Sequence, residues 1–148
     1  MPQNSRPWLS FCVAVVVATL LGSIVQTQFN LAALQQLGAS ISMGVRMQAT
    51  LHDLLGFSPT FAALVIASFI VALPLAAWLA PRLGALRWVV FVLAGALAVW
   101  LALSVANAVA PMPTLIGANR SLAGTLALMV CGSLGSLAFA RFSGAGRR

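Results

Sequence analysis

The chain has 148 residues, of which 61% are hydrophobic and only 6% charged, against about 25% charged in an average soluble domain. Its net charge of +7 comes from eight arginines and no lysine, opposed by one acidic residue, Asp53. These proportions exclude a soluble globular domain, whose core needs a polar cover, and they exclude a disordered tail and a nucleic-acid binder built on dense charge.

What remains is an all-α fold: an integral membrane four-helix bundle forming a single membrane domain over residues 1–148. A transmembrane helix takes about 20 apolar residues. Four such spans leave chain for loops and tails but not for a separate soluble domain. The absence of Lys and Tyr beside abundant Ala and Arg points to a bacterial chain.

The first apolar run covers residues 8–25, behind Arg6. It is long for a signal peptide and lacks a clean small-residue cleavage site, so it is read as an uncleaved span. From Gln26 onward, Gln26, Gln28, Asn30, Gln35 and Gln36 alternate with Phe29, Leu31, Leu34 and Leu37. This stretch continues the first span beyond the bilayer or forms a short helix of its own.

Residues 41–55 separate on a helical wheel. Ser42, Arg46, Thr50 and Asp53 share a narrow polar stripe. Ile41, Met43, Val45, Met47, Leu51, Leu54 and Leu55 fill a wide apolar arc. The pattern predicts an amphipathic outer-face helix between spans one and two, lying on the membrane surface or capping the bundle.

The second span covers residues 61–79 and opens with Ser58 and Pro59, with Ser58 a candidate helix cap. Pro74 lies inside it and removes one backbone hydrogen bond. Pro81 and Gly84 mark a tight turn before the third span, residues 88–109. Pro111 and Pro113 end that span, Asn119 or Ser121 can cap the next helix, and the fourth span covers residues 122–140.

Each span carries small residues four apart: Ser10, Ala14, Ala18 and Gly22; Ser68, Ala72, Ala76 and Ala80; Ala94, Ala98, Ala102 and Ala106; Ala123, Ala127, Cys131 and Gly135. Such rows let membrane helices approach closely. Asn107 is the amide set in an apolar run, suited to an interhelical hydrogen bond.

Four spans put both termini and the 80–87 turn on one side. That side holds Arg6, Arg82, Arg87, Arg141, Arg147 and Arg148, while the other holds Arg46 and Arg120. The bias places the chain in the bacterial inner (plasma) membrane as a multi-pass protein, with N and C termini cytoplasmic and residues 41–55 facing the periplasm.

The candidate polar cluster of that outer face is Arg46, His52, Asp53, Asn119 and Arg120. His beside a carboxyl group can serve as a general base, and two Arg can hold an anion. Yet adjacent positions on a helix point about 100° apart, so His52 and Asp53 do not converge, and no catalytic residue is assigned. The absences agree. No carboxyl group lies within a span, as a proton-coupled exporter requires. A single His cannot supply two haem ligands. Cys12 and Cys131 form no CxxC pair, and one Asp cannot build a two-metal site. No metal or cofactor is expected.

The function expected is therefore a non-catalytic accessory, anchor or assembly subunit that docks a partner on its periplasmic face, with Leu51 and Leu54 as candidate partner-binding residues. The alternative is a small oligomeric channel or carrier for a neutral or lipid-like solute. The expected partners are the lipid bilayer and a membrane or periplasmic protein or a second copy, not nucleic acid.

Overall fold

The structure is a computed structural model that describes residues 7–110 and 116–144. Among them every regular element is helical. Three segments are long and apolar enough to cross a membrane: Pro7–Gln36, Ser58–Val109 and Leu122–Ser143. The chain is an all-helical membrane protein.

Helix α1, Pro7–Gln36, has 30 residues. At 1.5 Å per residue it measures about 45 Å, well beyond the roughly 30 Å of a hydrocarbon core. The Gln-rich stretch therefore continues the first helix rather than starting another. α1 ends at Leu37 and Gly38. Gly38 has φ 92°, and the Ala39 N–H bonds back to the Leu34 carbonyl at 3.1 Å.

Helix α2, Met43–Gly56, is the expected amphipathic helix, and Ser42 caps it by accepting from the Val45 N–H. Helix α3, Ser58–Leu79, follows after one residue, Phe57, whose φ and ψ of −88° and −36° are themselves helical. The Phe57 N–H bonds to the Asp53 carbonyl at 2.8 Å, and its own carbonyl accepts from Phe61 at 3.1 Å. Pro59, lacking an N–H, interrupts the ladder there. Ser58 does not cap α3: no side chain caps its N-terminus, and the Ser58 hydroxyl instead meets that of Ser23 at 2.7 Å.

The 52-residue apolar segment Ser58–Val109 is not one straight rod. A 3-10 turn, Ala80–Leu86, divides it, and within it Gly84 takes φ 49° and ψ −108°. That backbone shape is open to glycine and strained for other residues. Helix α4, Arg87–Val109, then packs back along α3. Pro111 and Pro113 lie outside the described residues, as do Arg6, Arg147 and Arg148. A second 3-10 turn, Gly117–Arg120, precedes helix α5, Leu122–Ser143. Ser121 caps α5, accepting from the Gly124 N–H at 3.0 Å.

α1 packs against α3 and α5, and α4 packs against the same two helices. Phe61, Phe69, Leu73, Phe91 and Leu128 fill the space between them. Lipid gives no hydrophobic drive for such contacts, so close packing must hold them. The small-residue rows deliver this unevenly. Ser10, Ala14, Ala18 and Gly22 are all buried on α1, and Cys131 and Gly135 are buried on α5. Ala123 is exposed, while Gly124 and Gly132, each one residue past a row position, are buried. On α3 the buried line is Phe61, Val65, Phe69, Leu73 and Ala76, so of that helix's row Ala76, with Ala80 just beyond it, is buried while Ser68 and Ala72 are half-buried. Ser133 adds an interhelical hydrogen bond to the Val92 carbonyl at 2.8 Å. Asn107 is half-buried.

Candidate functional site

The end of the molecule that carries α2 gathers most of the polar side chains. Partner numbers fall along α1 as they rise along α2 and α3, so α1 is antiparallel to both. Arg46 Nη2 donates to Gln35 Oε1 at 3.2 Å, and Arg46 Nη1 to Gln28 Oε1 at 2.6 Å. Gln28 Nε2 reaches the Thr50 hydroxyl at 3.3 Å, which itself donates to the Arg46 carbonyl. One turn on, the Thr27 hydroxyl lies 2.8 Å from Asp53 Oδ2 and 3.0 Å from the Ser23 carbonyl, with a single proton to share. The Ser23–Ser58 contact closes the series where α3 begins.

The polar stripe of α2 is thus spent on α1. Arg46 and Asp53 each bond to an α1 side chain. The apolar arc consequently faces away from the protein: Met43, Val45, Met47, Leu51 and Leu55 are all exposed, Leu55 at 83%. No residue of α2 is buried. Leu54 is half-buried and His52 is exposed.

The five polar residues singled out from the sequence fall into two groups. Arg46, His52 and Asp53 belong to α2 in the α1–α2 hairpin, where Arg46 and Asp53 bond to α1 and His52 is exposed. Asn119 and Arg120 belong to the second 3-10 turn, where Asn119 Oδ1 accepts from the Thr125 hydroxyl at 2.7 Å and Arg120 is exposed. That turn is seated on α1 by other residues. Gln26, only 4% exposed, accepts the Ala118 N–H at 2.7 Å, and Asn30 abuts Gly117. Ser23, Gln26 and Thr27 were not among the candidates. Their signal is a polar line on α1, Thr19, Ser23, Gln26, Thr27 and Asn30, at helical spacings of three and four.

This arrangement can fix a helical hairpin. Among the described residues no three of His, Cys, Asp and Glu lie close enough together to hold a metal ion. If the Thr27–Asp53 bond holds the hairpin closed, Thr27→Val should loosen α2 by about 2 kcal/mol, the usual net value of a hydrogen bond to a carboxylate. Amide exchange in α2 should then speed up about thirtyfold, with residues 10–22 of α1 unchanged. Equal exchange in variant and wild type would show that the bond does not hold α2.

Comparison of the chain with family models, with curated proteins and with solved structures gave no match.

Proposed function

We propose that the chain is a non-catalytic accessory subunit of the bacterial inner membrane that docks a protein partner through the outward face of α2. The carrying observation is that α2 satisfies its polar side against α1 and presents Met43, Met47, Leu51 and Leu55 outward on a braced scaffold. A helix resting on a membrane surface keeps its polar face toward water; this one turns it to protein. Methionine-rich faces suit protein docking because the thioether chain adapts to its neighbour.

In this reading α3 and α4 are separate crossings, so α1, α3, α4 and α5 form a four-helix bundle. The support is the Gly84 reversal and the packing of α4 along α3. Arg82 and Arg87 then lie with the termini on the cytoplasmic side, and the α1–α2 hairpin and second 3-10 turn face the periplasm. A cysteine scan in a background lacking Cys12 and Cys131 tests this. Gln48→Cys on α2 should react with a membrane-impermeant maleimide in intact cells, and Ala85→Cys should not. Position 84 is unsuitable because its φ is 49°. Labelling at 85 from outside overturns the orientation.

Docking is tested on the exposed residues. A photo-crosslinker at Met47 should give one discrete protein adduct, lost when Leu51→Ser and Leu55→Ser are combined, while membrane insertion persists. Leu54 makes a poorer probe than its neighbours because it is half-buried. An adduct unchanged in the double variant, or crosslinks to lipid alone, overturns the docking role. The channel or carrier reading has less support, because Phe61, Phe69, Phe91 and Leu128 fill the space between the helices.

A further inference from the structure

Between α3 and α4 runs a lateral cleft of about 550 Å³, within the roughly 300–1,000 Å³ of small-molecule sites. Alanines such as Ala72, Ala76, Ala94 and Ala98 line it together with bulkier leucines. Of the lining side chains only Ser68 is polar, and its hydroxyl already donates to the Val65 carbonyl at 3.1 Å. The cleft therefore offers nothing to a polar solute.

Its depth is informative. On α3 the lining runs from Ser68 to Leu79, and on α4 from Val90 to Leu101. Each is eleven steps of helix, about 16 Å, or roughly one leaflet of a 30 Å hydrocarbon core. The end next to the α3–α4 turn carries the marks of a membrane–water boundary. Trp78 and Trp88 are exposed there, as expected of aromatic side chains at headgroup level. The Arg82 guanidinium lies 3.7 Å over the Trp78 ring and donates to the Trp78 carbonyl at 2.6 Å, leaving further N–H groups for another acceptor. Arg87 opens α4, whose first turn contains no acidic residue, so the positive end of that helix dipole is uncompensated.

We infer that this cleft holds one acyl chain of an anionic glycerophospholipid, with the headgroup phosphate at Arg82 and Arg87. An apolar slot one leaflet deep, with two arginines at its boundary end, matches a lipid tail and an anionic head at once. A neighbouring helix, about 10 Å across with its side chains, is a poor fit to a slot between two helices already in contact. The inference rests on α3 and α4 being separate crossings, which is tested independently by whether Ala85→Cys reacts with the maleimide once the cells are permeabilised; no reaction from either side would overturn it.

The test is native mass spectrometry of the full chain, stripped of lipid in detergent and titrated with phosphatidylglycerol or phosphatidylcholine. One phosphatidylglycerol should bind ahead of the rest. Each arginine near the surface contributes about fivefold, so the first phosphatidylglycerol should exceed phosphatidylcholine by roughly 25-fold in affinity. The Arg82→Gln, Arg87→Gln pair should bring that ratio close to one. Filling the cleft with Ala72→Leu and Ala94→Leu should abolish the first binding event with helicity retained. Equal binding of the two lipids by wild type, or undiminished binding by the folded leucine variant, overturns the inference. So does disulfide formation between copies carrying Leu75→Cys and Leu97→Cys, in a background lacking Cys12 and Cys131, in phosphatidylglycerol vesicles, because a second copy would then occupy the cleft. Should the leucine variant fail to fold, the wild-type ratio and the arginine pair decide.

Discussion

A single methyl group at Gly95 or Gly132 is expected to destabilise the folded chain by about 3 kcal/mol, the upper part of the range for overpacking. The two glycines face each other across α4 and α5. A Cβ on Gly95 would collide with the Gly132 carbonyl and approach Ser136 Cβ to 2.7 Å. One on Gly132 would collide with the Gly95 carbonyl. The obstruction on each side includes backbone, which cannot rotate away, so the helices themselves must separate. Separation would also stretch the Ser133 bond to the Val92 carbonyl and loosen the Phe91–Phe139 ring contact, whose centroids are 6.2 Å apart. Gly56→Ala is the control. Nothing lies within 4 Å of its added Cβ, so its effect should stay within about 0.5 kcal/mol. Melting temperatures in a mild detergent compare the three variants. Gly95→Ala melting with Gly56→Ala would mean that the α4–α5 contact does not limit stability.

The second large effect is expected at Gln26. Gln26→Met keeps the length and bulk of the side chain but removes the acceptor for the Ala118 N–H, a buried bond of 2.7 Å. Leaving a buried donor unpaired costs about 1–3 kcal/mol. The loss should fall locally, because the second 3-10 turn is short and Gln26 and Asn30 seat it on α1. Amide exchange at Ala118 should rise at least tenfold, the counterpart of about 1.4 kcal/mol, while the core of α4 keeps its protection. Gln28→Met, which touches only the hairpin bonds to Arg46 and Thr50, should leave Ala118 unchanged. If Gln26→Met does not accelerate exchange at Ala118, the turn is held by something other than that amide.

Much of the architecture is written in periodicity. Apolar runs free of charge set the long helices, and Gly84 with Pro81 sets the reversal between α3 and α4, because only a few residue types permit those backbones. The polar stripe of α2 is equally legible, since Ser42, Arg46, Thr50 and Asp53 recur at helical spacing. These are local properties: each depends on a residue and its near neighbours along the chain.

What the stripe faces is a property of the fold. Periodicity says that α2 has two unlike sides but not which neighbour takes the polar one. The length of α1 decides it: the helix runs past the hydrocarbon thickness and carries Gln28, Gln35 and Thr27 alongside Arg46, Thr50 and Asp53. The same holds for the small-residue rows. In an Ala-rich chain many rows of four-residue spacing exist, and the seams in use are those where two backbones meet. Gly95 met Gly132, a residue outside the row read on its helix, while Ala123 stayed exposed. Gln26 shows the limit most plainly. Its partner, Ala118, lies 92 residues away and is an ordinary backbone N–H, which leaves no mark in the sequence of either segment.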